Sequence, residues 1–217
     1  MERVLLSGGG TGGHIYPAVS IAKEIKKRCE DTDILFIGTE KGLESSIIPE
    51  EGFKLQTIKV RGFTRKLSFE NIIAVKESFT GLFAAMKMIK RFEPDIVIGT
   101  GGYVCGSVLL AAAIMNIPTL IHEQNAFPGV TNKMLSRVVD VVALNFPEAA
   151  AYFPKSSKIV VTGNPIRSDI MNVTKEAGLR EFEFSSDLPV VFVVGGSRGA
   201  KKINESVLAI AKHCIKH

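Results

Sequence analysis

The chain has 217 residues, 46% of them apolar and 23% charged, which is enough for a sizeable buried core and excludes an intrinsically disordered polypeptide. With 27 Lys and Arg against 22 Asp and Glu, the net charge is +5. That mild excess suits an anionic ligand or an anionic membrane surface, and without Trp or aromatic–basic repeats it does not point to nucleic acid.

Three scattered cysteines, Cys29, Cys105 and Cys214, form no CxxC pair and fit a reducing compartment rather than a disulfide framework or a zinc site. The segment before the first apolar run, Met1 to Arg3, is too short for a signal peptide, and no apolar stretch reaches the ~20 residues of a membrane span. The expectation is a cytosolic protein that touches a membrane only from outside.

Short apolar runs alternate with helical patterns along the chain, the signature of an α/β fold with a parallel sheet. Strands are expected at Val4–Ser7, Asp33–Ile37, Leu55–Val60, Ile96–Gly99, Thr119–His122, Val139–Leu144 and Ile159–Thr162. Helices are expected near Pro17–Lys27, Val75–Phe92, Ser107–Met115 and Gly129–Ser136. These elements make one complete Rossmann-like domain over residues 1–163. A second unit follows over 164–217, with helical residues after Arg167, a strand at Val190–Val194 and a helix from Ala200 onward. Both Val4–Gly12 and Val191–Gly199 read as strand, glycine pair, hydroxyl residue and helix start, so each is expected to open a Rossmann-like domain. Only 55 residues follow Thr162, fewer than the ~100–150 of a usual domain, so the second is expected to be incomplete.

Glycine-rich turns at strand ends carry the chemistry. Gly8, Gly10 and Gly13 satisfy GxGxxG between a strand and a helix, where the backbone can approach a diphosphate and a helix N-terminus offers free N–H groups. His14 follows directly, and Pro17 is expected in the first helical turn, where its missing N–H costs nothing. Gly99-Thr100-Gly101-Gly102-Tyr103 and Gly195-Gly196-Ser197-Arg198-Gly199 repeat the pattern. None contains GK[ST], which excludes a P-loop NTPase. The first loop alone also admits a nicotinamide oxidoreductase, with Glu40 near the second strand contacting a ribose. Asp31-Thr32-Asp33 is formally the DxD of metal-dependent transferases, but it precedes the second strand, away from the strand carboxyl ends, and reads as a solvated turn.

Five segments resemble the MurG family: Gly9 to Ala18, Gly101-Gly102-Tyr103, His122-Glu123-Gln124-Asn125 with Gly129 to Lys133, Gly163 to Arg167, and Val194 to Ala200. The resemblance implies a GT-B type fold and an inverting glycosyltransferase. Such an enzyme moves N-acetylglucosamine from UDP to the 4-hydroxyl of N-acetylmuramyl-pentapeptide on undecaprenyl diphosphate. It implies that Thr11, Gly12, Gly13, Asn125, Arg167 and Ser197 contact the sugar nucleotide. Gly10, Gly102 and Tyr103 are then on the acceptor side, and His14 and Glu123 lie near the reacting centre. It further implies a peripheral enzyme at the cytoplasmic membrane face, with cell-wall synthesis proteins as partners.

Such a displacement needs a base for the hydroxyl and neutralisation of the departing diphosphate. His14 is the candidate base, with Glu123 as the alternative base or as the residue that orients His14. Arg167 and the Ser197 loop could take the diphosphate charge, so neither a metal nor a cofactor is expected. A truncated module that binds the lipid-linked acceptor or a partner without transfer is the alternative function. An apolar stripe of Val75, Phe79, Leu82, Phe83, Met86 and Ile89 is preceded by Phe63, Leu67, Phe69, Ile72 and Ile73. Arg61, Arg65, Lys66, Lys76, Lys87, Lys90 and Arg91 surround it, as expected for docking on anionic lipid.

Overall fold

The computed structural model describes residues 2–61, 69–167, 170, 172–185, 187, 189–195 and 199–216, without the side chains of 69–75 and 214–216. The chain divides into two compact units, Met1–Arg167 and Ser168–His217.

In the first unit the elements run β1 (Arg3–Gly8), α1 (Gly12–Arg28), β2 (Asp33–Gly38), α2 (Glu44–Glu50), β3 (Lys54–Thr57) and α3 (Phe69–Phe92). They continue as β4 (Ile96–Gly101), α4 (Tyr103–Ile114), β5 (Thr119–Glu123), α5 (Val130–Leu135), β6 (Val141–Leu144), a 3-10 turn (Pro147–Tyr152) and β7 (Ile159–Val161). The seven strands pair in the order β3-β2-β1-β4-β5-β6-β7, and every pairing is parallel. A parallel sheet needs crossover helices on its faces, so its strands are buried on both sides and read as unbroken apolar runs. β1 shows the division. Val4 and Leu6 join the layer of Ile15, Ala18 and Val19 from α1, while Leu5 joins Ile89, Val108 and Leu109 from α3 and α4. The strand order reverses direction between β1 and β4, and the crevice outside the carboxyl ends at that point is where open α/β sheets hold ligands.

Several boundaries differ from the sequence reading. Helix α1 starts at Gly12, so Pro17 sits in the second turn rather than the first. The residue four positions earlier, whose carbonyl the proline ring crowds, is Gly13. Helix α4 likewise begins at Tyr103, directly on its glycine loop. β3 ends at Thr57, yet Ile58 and Val60 remain buried in the loop that follows, which explains why the apolar run overreaches the strand. β6 starts at Val141 because the amides of Val138 and Val139 donate to Leu135 O at the end of α5. The helix α2 has no apolar periodicity long enough to announce it.

The second unit contains α6 (Lys175–Glu181), closed at its start by the Thr174 hydroxyl accepting from Ala177 N, and α7 (Lys201–Lys216). The strand expected at Val190–Val194 is not formed: these residues are irregular, with Val191 84% and Phe192 80% exposed. A strand exists only through pairing of its N–H and C=O groups, and among the described residues this unit holds no second strand to pair with.

At the amino ends of β5 and β6, Asp140 Oδ2 accepts from Thr119 N and Thr119 Oγ1, both at 2.7 Å. The hydroxyl bond first and the amide bond second hold its carboxyl below the usual carboxylate range. Because the folded value is depressed, the stabilisation is complete above the ordinary pKa and is lost as pH falls through the depressed one. Asp140→Asn should therefore lower the thermal midpoint at neutral pH by roughly 2–4 °C, for a loss of about 1 kcal/mol. It should also make the midpoint fall less steeply below about pH 4. Parallel pH–melting curves for the two proteins measure both effects.

Candidate active site

The turns after β1 and β4 pack backbone to backbone at the switch point. A Cβ on Gly102, which has φ +87°, would lie 2.3 Å from the carbonyl oxygen of Gly9. One on Gly8 would lie 2.0 Å from Thr100 Oγ1. The contact is closed by Gly9 N donating to Gly101 O at 3.3 Å and Thr100 Oγ1 donating to His14 O at 2.6 Å. Side chains are excluded here because nothing larger than hydrogen fits between the two backbones.

This approach divides the loop amides into two groups. The Gly9 amide is used by the second loop, and the Gly10 amide donates to Glu44 Oε2 at 3.0 Å. Glu44 is fully buried, and its Oε1 accepts from Thr39 N at 3.0 Å and Thr39 Oγ1 at 2.6 Å. Gly10, expected on the acceptor side, thus spends its amide on a carboxylate of its own chain. Gly12 and Gly13 differ. They open α1, Thr11 makes no side-chain cap, and neither amide has a hydrogen-bond partner among the described residues. The uncapped N-terminus of a 17-residue helix can hold an anion through such amides. One turn along, the exposed Tyr16 ring lies 5.9 Å from the guanidinium carbon of Arg167, within cation–π reach, so Arg167 stands beside this helix start. Tyr103, 37% exposed, contributes Cε1 3.6 Å from where a Cβ on Gly10 would lie. Ser197 lies outside the described residues.

His14 is half-buried with its ring against Gly101, whose Cβ would meet Nδ1 at 2.7 Å. Its Nδ1 lies 2.9 Å from Thr100 O, which can only accept, so Nδ1 carries the proton and Nε2 keeps a lone pair. The neighbour that reaches the His14 ring is Gln124, through Oε1 at 3.3 Å from Nδ1.

Glu123, expected as the alternative base or as the residue that orients His14, is engaged by its own turn. Its carboxylate is 1% exposed, with Oε1 accepting from Asn125 N (3.0 Å) and Asn125 Nδ2 (2.8 Å) and Oε2 accepting from Gly129 N (3.0 Å) and Asn132 Nδ2 (2.9 Å). Four donors on a buried carboxylate leave no free lone pair aimed at a substrate, and none of these bonds reaches His14. Glu123 shapes the turn from β5 into α5, and it holds the exposed Asn125 by both backbone and side chain.

The residues missed by sequence reasoning are Glu44, Thr100 and Gln124. Gln124 stood within a quoted motif with no role assigned. For Glu44 the available signal was its flanking glycines, since Cβ atoms on Gly9, Gly38 and Gly42 would all press on its side chain. Glu40, the acid proposed for a ribose, is an exposed turn residue. Asp33 is paired with Lys54 at 3.1 Å at the start of β2, the edge opposite the glycine loops. Among the described residues no group of three His, Cys, Asp or Glu is placed to hold a metal.

Residues 4–144 match the model of the glycosyltransferase family 28 N-terminal domain. The chain belongs to that family. This membership displaces the nicotinamide oxidoreductase reading. The chain is 59% identical over 210 residues to a UDP-N-acetylglucosamine–N-acetylmuramyl-(pentapeptide) pyrophosphoryl-undecaprenol N-acetylglucosamine transferase of Caldanaerobacter subterraneus subsp. tengcongensis, covering 97% of this chain and 58% of that one. It is 58% identical to the transferase of the same name from Acetivibrio thermocellus, covering 97% and 57%. The crystal structure of Acinetobacter baumannii MurG superposes with a TM-score of 0.70 at 35% identity, over 95% of this chain and 56% of that one. The MurG resemblance read from the five motifs therefore holds across the chain. A UDP-GlcNAc 2-epimerase from Neisseria meningitidis, at 16% identity, 98% and 62% coverage and TM-score 0.63, shares the fold alone. The chain spans a little under 60% of the length of the curated relatives it matches.

Glu44→Gln places an amide N–H₂ against a backbone N–H with no room to turn away. The expected cost is about 1–3 kcal/mol in urea unfolding, with the largest amide chemical-shift changes at Gly10 and Thr39. Unchanged stability would show that the carboxylate does not hold the first loop.

Proposed function

We propose that this chain is the acceptor-side portion of an inverting N-acetylglucosaminyltransferase, acting on UDP-GlcNAc and a lipid-linked N-acetylmuramyl-pentapeptide. The observation that carries the reading is His14. Its ring is fixed with Nε2 bare, at the start of a helix whose first amides, Gly12 and Gly13, are unpaired among the described residues. In the transfer the acceptor 4-hydroxyl attacks the anomeric carbon, its proton passes to His14 Nε2, and the bond to the UDP oxygen breaks with its electron pair leaving on the diphosphate. Such a reaction places a proton acceptor and an anion cradle a few ångströms apart. Thr11, Gly12, Gly13 and Arg167 gather the negative charge, Asn125 and Ser197 assist on the nucleotide side, and Gly102 and Tyr103 border the acceptor. Glu123 takes the structural role its four donors dictate.

A peripheral membrane association accompanies this function. Among the described residues no helix is long and apolar enough to cross a membrane. The α3 stripe divides in two. Ile89 is buried and Leu82 and Met86 pack on the core, while Phe79 and Phe83 are 60% and 68% exposed. Lys76 and Lys87 are exposed on the turns flanking that pair. Phe63, Arg65, Lys66 and Leu67 lie outside the described residues, as do the side chains of Phe69, Ile72, Ile73 and Val75.

Transfer of labelled N-acetylglucosamine to the lipid-linked acceptor tests the chemistry: His14→Ala should lower the rate about 10²–10⁴-fold. Activity undiminished in that variant would rule His14 out as the base. For the membrane face, Lys76→Gln with Lys87→Gln should weaken binding to phosphatidylserine vesicles roughly 30-fold, at about 1 kcal/mol per charge. Equal binding by the variant and the parent protein would dismiss the docking surface.

A further inference from the structure

The side chains behind His14 form one directed chain of hydrogen bonds. His122, on β5, is 2% exposed, and its Nε2 lies 2.9 Å from Gly163 O. A carbonyl can only accept, so Nε2 is the protonated nitrogen and Nδ1 is bare. Gln124 Nε2 stands 2.9 Å from Thr100 O, 3.1 Å from that Nδ1 and 3.2 Å from His122 O, and all three are acceptors. This fixes the amide orientation, because the reverse would set its oxygen against three lone pairs. Gln124 Oε1 is thereby turned toward His14 Nδ1, 3.3 Å away, as an acceptor for the proton that Nδ1 also shares with Thr100 O.

We propose that Gln124 is a positioning residue that, with His122, wires the His14 ring to the Gly163 carbonyl and holds His14 as its Nδ1–H tautomer. This inference rests on the reading of His14 as the base. The wiring requires His122 to be neutral, and burial pushes its imidazole below the usual histidine range, outweighing the opposite pulls of Gly163 O and the Glu123 charge. Every donor in the chain meets an acceptor in one direction only, so reversing any member would set like groups face to face. Gly163, with φ +74°, lies in the segment that ends the first unit, so the ring of the base is referenced to the backbone leaving the sheet.

Long-range nitrogen–proton correlation spectra of the ¹⁵N-histidine-labelled 217-residue chain read both tautomers directly. His14 is expected with its proton on Nδ1 and His122 with its proton on Nε2. Either ring protonated on the other nitrogen overturns the wiring, and this needs no variant. Gln124→Met should leave the backbone amide spectrum folded while His14 becomes a mixture of tautomers. Gln124→Glu keeps an acceptor for His14 Nδ1–H but sets its second oxygen against the Thr100 carbonyl and the bare His122 Nδ1, so His14 should stay in the single Nδ1–H form while His122 takes a proton on Nδ1. A His14 spectrum unchanged in Gln124→Met would defeat the positioning role. In transfer assays Gln124→Met should lose up to about 10²-fold in kcat with KM little changed, as for a misplaced reacting group. The spectra require no transfer activity, so a His14→Ala variant that still moved sugar would defeat the base assignment alone and leave the tautomer pair standing.

Discussion

The van der Waals contact between the turns after β1 and β4 is the constraint on which the site depends. Gly102 lies against the Gly9 carbonyl and Gly8 against the Thr100 hydroxyl, at separations that no Cβ could occupy. Because the sheet order reverses between these two strands, the turns emerge side by side without an intervening strand. Their approach places the Thr100 carbonyl against the His14 ring and gives Nδ1 one of its two acceptors, the other being Gln124 Oε1. The catalytic character proposed for His14 is therefore a property of the loop contact as much as of the residue.

Two buried carboxylates surround this contact, and each is held by donors of its own chain. Glu44 joins the turn after β2 to Gly10, and Glu123 joins the end of β5 to Asn125, Gly129 and Asn132. Charge-assisted bonds to several donors let a carboxylate remain buried, and each acid then organises a loop that has little apolar surface of its own. Loops at the carboxyl ends of strands must present open backbone to a ligand, so their order comes from such polar bracing rather than from core packing. With Gly9 and Gly10 amides used internally, the anion cradle proposed for this site falls to the first turn of α1 and to Arg167 beside it.

The two units differ in how they bury their apolar residues. In the first, both sheet faces are covered and β1, β2 and β4 are almost wholly enclosed. In the second, the Val190–Val194 run is apolar by sequence but exposed and unpaired, and Ile203, Leu208 and Ile210 of α7 are also exposed. Burial on a sheet is collective: apolar side chains are covered only when neighbouring strands bring a surface for helices to lie on.

The sequence by itself determined the alternation of strands and helices, the parallel sheet and the glycine turns, because each follows from local periodicity or from glycine's backbone freedom. His14 was singled out by its place after the first glycine loop, and Arg167 and Asn125 as candidate site residues by the motif resemblance alone. The sequence did not separate acids that brace from acids that react, since Glu123 and Glu44 differ from a general base only in the donors that tertiary packing brings to them. Nor could it orient the His14 imidazole or assign Gln124, because a tautomer depends on atoms from β4 and from the residue after β5, which lie about 90 and 110 positions away in the chain. Only the folded sheet decided those contacts, and with them which nitrogen is left free.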